Sequence, residues 1–184
     1  MKRTLFAAIA AFGLMSSLYL VSCGEVDPCK DKDFGVHGTC VDGIAVCNAG
    51  YEVDPGNGRC DVITSTLWLG DFTGEDFDTK GTSVTGKYVS KIQAIAGAGN
   101  ENKVSIQDLG FYECKNTTTG AILPYFVEGT VKGDSIKIDY KTCNNTFKGA
   151  GYFNRTAKTV TINYTATYGT PAKTDVSKAV LTKK

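Results

Sequence analysis

The sequence predicts an all-β protein: a small cysteine-stapled module followed by an antiparallel up-and-down β-barrel or sandwich of about eight strands. Three observations carry this. Residues 62–184 alternate apolar and polar side chains over long runs, the clearest being Thr159 to Tyr168. No segment shows a convincing helical period. Four cysteines, Cys29, Cys40, Cys47 and Cys60, crowd into a glycine-rich stretch too short to bury a core of its own. Composition narrows the function classes. The chain has 184 residues, one His and one Trp. No basic stripe suits nucleic acid, and no polybasic patch suits electrostatic membrane binding.

The N-terminus reads as a targeting segment. Lys2 and Arg3 precede an uncharged apolar run from Leu5 to Leu20, shorter than the ~20 residues that span a bilayer. The run ends in Leu20-Val21-Ser22-Cys23, which resembles the bacterial lipobox. That resemblance implies removal of residues 1–22 and acylation (palmitate among the chains) of Cys23 as the new first residue. Several acyl chains on one residue anchor stably, whereas one is marginal. It also implies a lipid-anchored lipoprotein of the bacterial envelope, expected at the outer membrane. The alternative is an ordinary secretory signal cut near Ser22. Gly24-Glu25-Val26-Asp27 resembles the acidic export tags of some surface lipoproteins. Cleavage takes Lys+Arg from 20 to 18 against 19 Asp+Glu, a net charge of −1.

Residues 23–61 form the anchor and cysteine-rich module. Setting Cys23 aside leaves six of the seven cysteines, Cys29, Cys40, Cys47, Cys60, Cys114 and Cys143, an even number suited to an oxidising compartment. Metal binding is the alternative, but no pair has C-x-x-C spacing and His37 stands alone. His37-Gly38-Thr39-Cys40 and Cys47-Asn48-Ala49-Gly50-Tyr51 resemble an epidermal-growth-factor-like (EGF-like) domain with four of its six cysteines. The resemblance implies the pairs Cys29–Cys40 and Cys47–Cys60, with Phe34 and Ala45 near the vacated positions. It also implies a calcium site at Glu25, Asp27 and Asp42, against the plainer reading of solvated turn acids. Asp54-Pro55-Gly56-Asn57-Gly58 is a turn, and His37 reads as a turn residue.

Residues 62–184 hold the large domain. Strands are expected near 64–72, 84–96, 103–110, 122–131, 134–140, 146–154, 158–168 and 174–183. Short connections imply antiparallel neighbours, and closure would remove the sheet edges. Gly149-Ala150-Gly151 allows a bend or a close backbone approach. Cys114 and Cys143, each just past an expected strand, are expected to bridge; two free buried thiols are the alternative. With Trp68-Leu69-Gly70-Asp71-Phe72 at its start, the strand order resembles a lipocalin-like domain.

Chemistry is sparse. The large domain has no His, so Ser-His-Asp and Cys-His arrangements are impossible there. The dense acids Asp71, Glu75, Asp76 and Asp78 read as a hairpin loop of solvated carboxylates, with acid–base or calcium chemistry as the alternative. Adjacent aromatics, Tyr125-Phe126 and Tyr152-Phe153, must face opposite sides of a sheet. The expected function is a non-enzymatic, monomeric, cofactor-free envelope lipoprotein binding a protein or glycan. The alternatives are a carrier of a small apolar ligand, and a hydrolase using Asp71–Asp78.

Overall fold

The computed structural model describes residues 27–112, 114–115 and 118–184. The expected signal segment, Cys23 and Glu25 lie outside the described residues. The chain begins with two small hairpins. Strands β1 (Gly38–Val41) and β2 (Ile44–Cys47) pair across a tight turn at Asp42-Gly43, both at positive φ. Such a turn matches the twist of the strands it joins. Strands β3 (Tyr51–Glu52) and β4 (Val62–Ile63) form the second pair. Disulfides Cys29–Cys40 and Cys47–Cys60 staple the cysteine-rich module, with Cα separations of 5.7 and 5.3 Å. Few of its side chains are buried, Cys60 being one. The crosslinks therefore hold what apolar burial cannot.

A strand was expected over 64–72. Residues Thr64–Trp68 instead form a 3-10 turn, and strand β5 runs over Gly70–Phe77. The cause is local: the Thr66 hydroxyl donates to the Ile63 carbonyl at 2.6 Å, a side-chain bond of the kind that diverts backbone from extended structure.

From β5 the chain meanders through β6 (Ser83–Ala94), β7 (Lys103–Gln107), a short hairpin of β8 (Cys114–Lys115) and β9 (Ile122–Leu123), then β10 (Phe126–Lys132), β11 (Ser135–Thr142), β12 (Asn145–Asn154), β13 (Thr159–Tyr168) and β14 (Lys173–Lys183). Eight of these strands close as a barrel in the order β5-β6-β7-β10-β11-β12-β13-β14, with β14 returning antiparallel to β5. Barrel and not sandwich is the architecture. The expected strand over 122–131 is split at Pro124 and Tyr125, consistent with proline's exclusion from a paired strand interior.

Alternation decides the two faces. Phe72, Ile92, Ile106, Val127, Ile138, Phe147, Ile162 and Leu181 point inward and are almost fully buried. Lys87, Lys91, Lys137, Lys148 and Lys178 point outward and are exposed. A barrel that spans a membrane carries the opposite distribution, apolar outside and polar within. Among the described residues, no helix is long and apolar enough to cross a membrane. β12 lies close on β13 because Gly149 and Gly151 lack side chains. A Cβ at Gly149 would stand 2.4 Å from the Asn163 carbonyl oxygen, and one at Gly151 would stand 2.2 Å from that of Thr161.

Both ends are covered. At one, Trp68 is wholly buried against Phe153, and its indole N–H donates to the Gly133 carbonyl at 3.1 Å. The small module docks at this end: Thr64 N–H donates to Gly50, Ser65 N–H to Glu101, and Arg155 bridges Glu52 and Asp134. At the other, the β7–β10 connection folds over the rim. Leu109 is fully buried, the Tyr125 hydroxyl donates to its carbonyl, and the same hydroxyl accepts from Tyr112 N–H at 3.1 Å. The Cys114–Cys143 disulfide ties this connection to the β11–β12 turn, closing 29 residues.

Candidate functional site

The end covered by the β7–β10 connection gathers the polar and aromatic side chains. Asp76 is the unexpected member. The acids of 71–78 do not form a hairpin loop: they lie on β5 and the turn after it. Asp71 is exposed, Asp76 points into the barrel and is 1% exposed, and Asp78 organises the turn by accepting from Lys80 and Thr82 N–H. The loop reading fails because Phe72, Gly74 and Asp76 share one parity, so Asp76 follows the core positions inward. A register shift between Glu75 and Phe77 marks its place, and there the Asp76 N–H donates to the Thr85 hydroxyl at 3.0 Å.

Two tyrosine hydroxyls donate to the Asp76 carboxylate, Tyr88 from β6 and Tyr164 from β13, each at 3.2 Å. Tyr88 also accepts from Gly110 N–H at 3.3 Å, linking the rim connection to the buried acid. Burial pushes the Asp76 carboxyl up to about 6, against the opposing pull of the Tyr164 and Tyr88 hydrogen bonds. Burial likewise raises Tyr88, Tyr125 and Tyr164 above the ordinary phenol range, so they remain donors. Asp76, Tyr112, Tyr164 and Ser177 line a cavity of about 320 Å³ here.

Beside it opens a larger cavity, of about 600 Å³, lined by Tyr112, Lys115, Asn144, Asn145, Tyr168 and Thr170 with the Cys114–Cys143 bridge in its wall. The volume lies within the ~300–1,000 Å³ usual for small-molecule sites. Tyr112 and Tyr168 stand with ring centroids 5.1 Å apart. The Tyr168 hydroxyl donates to Asp175 at 2.7 Å, and that of Tyr112 reaches the same oxygen at 3.5 Å. Asn145 begins β12 at an interior-facing position and is 6% exposed.

The remaining sequence candidates scatter. Asp27 accepts from Cys29 N–H in a local turn, and Asp42 sits in the β1–β2 turn. Among the described residues, no three or more His, Cys, Asp or Glu side chains group to hold a metal ion. His37 stacks on Tyr51 at 3.6 Å in the small module. Each adjacent aromatic pair splits across the sheet: Tyr125 and Phe153 are buried, Phe126 and Tyr152 exposed. Asp76 was read as a solvated loop acid and not as a buried group, and Asn145 was missed. The Phe72-x-Gly74-x-Asp76 alternation was the available signal for the first; a strand-initial Asn carries none.

A closed barrel of this kind is compatible with a non-enzymatic binding domain or a carrier. No protein-family model matches the sequence, and no curated protein matches it. Several solved structures are similar to the chain, among them the following two. One is a protein of unknown function from Bacteroides ovatus, 15% identical, with a TM-score of 0.42 over 64% of this chain and 42% of that one. The other is a redesigned β-barrel, 11% identical, with a TM-score of 0.44 over 66% of this chain and 95% of that one. The chain thus spans less than half the length of the first.

Proposed function

We propose that the protein is a non-enzymatic lipoprotein of the bacterial envelope, held at the outer membrane by acyl chains on Cys23, which presents its barrel to a protein or glycan partner. The observation that carries this reading is the filled interior. Trp68, Phe72, Phe147, Ile92, Ile106, Leu109, Ile138, Ile162 and Leu181 are each less than 2% exposed and occupy the space a carrier would leave for its ligand. Binding then belongs to the outside and the rim. The lipobox supplies the anchor. The cysteine-rich module, read as a reduced EGF-like spacer, stands between anchor and barrel in the sequence. Its crosslinks suit an exposed, oxidising location.

The test of the anchor is membrane fractionation with labelled palmitate. The native chain should incorporate label and sediment with membranes, and Cys23→Ala should do neither. A Cys23→Ala chain that stays membrane-bound removes the anchor from the account.

A further inference from the structure

We propose that the 600 Å³ cavity at the disulfide-tied rim is a saccharide-binding site. This rests on the partner-binding reading above and names the chemistry of the partner. Asn145 is 94% buried and lines the cavity, and its amide is not an enclosed, unpartnered group. An amide at the wall of an open cavity pairs with water or with a polar ligand that takes the water's place. An amide offers both donors and an acceptor, the complement of a sugar hydroxyl, which is itself both.

The aromatics supply the second half. Asn145 and Tyr168 lie one residue beyond the last β12–β13 ladder pair, Thr146–Thr167, and both continue the interior-facing parity of their strands. Each is still paired on its other side, Asn145 with Thr142 and Tyr168 with Lys173, and both line the cavity at this end of the barrel. Asp175 holds the Tyr168 hydroxyl, fixing the ring before any ligand arrives. Pre-fixed aromatic rings provide contact area at little entropic cost. A pyranose presents one apolar C–H face to such a ring and its hydroxyls to the amides and to Thr170. Asn144, in a turn at φ 63°, adds an exposed amide at the mouth. Among the described residues the lining holds one cation, Lys115, and no carboxylate. An apolar ligand would leave Asn145 unpaired, which sets saccharides above lipids.

The experiment is an NMR or calorimetric titration of the full chain in detergent with the methyl glycosides of glucose, galactose, mannose and N-acetylglucosamine. At least one should bind, and Asn145→Ala and Tyr168→Ala should each weaken it by about tenfold. Tyr168→Phe, which keeps the ring, should lose at most about threefold. Should Asn145→Ala fail to fold, Asn144→Gly removes an amide at a backbone angle glycine tolerates, and about threefold weakening is expected. Vesicles bearing a glycolipid, set against its free oligosaccharide, tell a membrane source from a soluble one. Failure of all four glycosides to bind, or binding that the variants leave unchanged, overturns the assignment. Neither outcome touches the lipid anchor, which stands or falls on Cys23→Ala.

Discussion

Asp76 makes barrel stability depend on pH in a direction opposite to that of most carboxylates. Its carboxyl titrates near 6 in the folded chain against 3.8 when solvated, because burial disfavours the charge more than Tyr164 and Tyr88 favour it. Below pH 3.8 the group is protonated in both states and costs nothing. Between 3.8 and about 6 the folded chain holds a proton the unfolded chain has released, so stability falls as pH rises. Above 6 the loss is complete. At about 1.36 kcal/mol per pH unit, this interval corresponds to about 3 kcal/mol. Asp76→Asn abolishes the titration and keeps an oxygen to accept from Tyr88. Guanidinium unfolding of both proteins from about pH 3 to pH 8 gives the comparison, in which the other carboxyl groups cancel. The difference should move by about 3 kcal/mol in favour of Asn as pH rises. A difference flat with pH would refute the reasoning, because it would mean that water reaches the carboxylate.

Three further expectations follow from the packing. Trp68→Ala should lower unfolding stability by about 3–5 kcal/mol, since the indole is wholly buried at one end of the barrel; a loss below about 1 kcal/mol in denaturant would show that the end closes without it. Gly149→Ala sets a methyl 2.4 Å from a backbone oxygen and should cost about 1–3 kcal/mol, read as a lower denaturation midpoint; an unchanged midpoint would place β12 further from β13. Cys114→Ser with Cys143→Ser opens a 29-residue loop and should cost about 3–4 kcal/mol. Its clearest readout is faster amide exchange between residues 108 and 125; protection unchanged there would mean that Leu109 and Tyr125 hold the rim unaided.

The barrel was legible in the sequence because one physical rule, inward apolar and outward polar, repeats along each strand from β10 to β14. Thr159 to Tyr168 states it without interruption, and β13 spans those ten residues. The rule misleads where a side chain competes with the backbone or where a polar group goes inside. Thr66 does the first, turning an expected strand into a 3-10 turn. Asp76 does the second: a carboxylate amid other acids looks solvated until Tyr88 and Tyr164 are brought across the barrel to meet it. Those partners lie 12 and 88 residues away in sequence, and no local pattern joins them. The rim cavity was illegible for the same reason, since it draws on the β7–β10 connection and on the β11–β12 and β13–β14 turns at once.

The proposed function requires that the barrel interior be filled by its own side chains and that binding happen outside it. Native mass spectrometry of residues 24–184, before and after incubation with an organic-solvent extract of the cells that make the protein, tests this most directly. The predicted result is the bare protein mass, short by the six hydrogens of its three disulfides, with no apolar adduct. A stoichiometric apolar adduct that survives transfer to the gas phase would contradict the claim and make the protein a carrier.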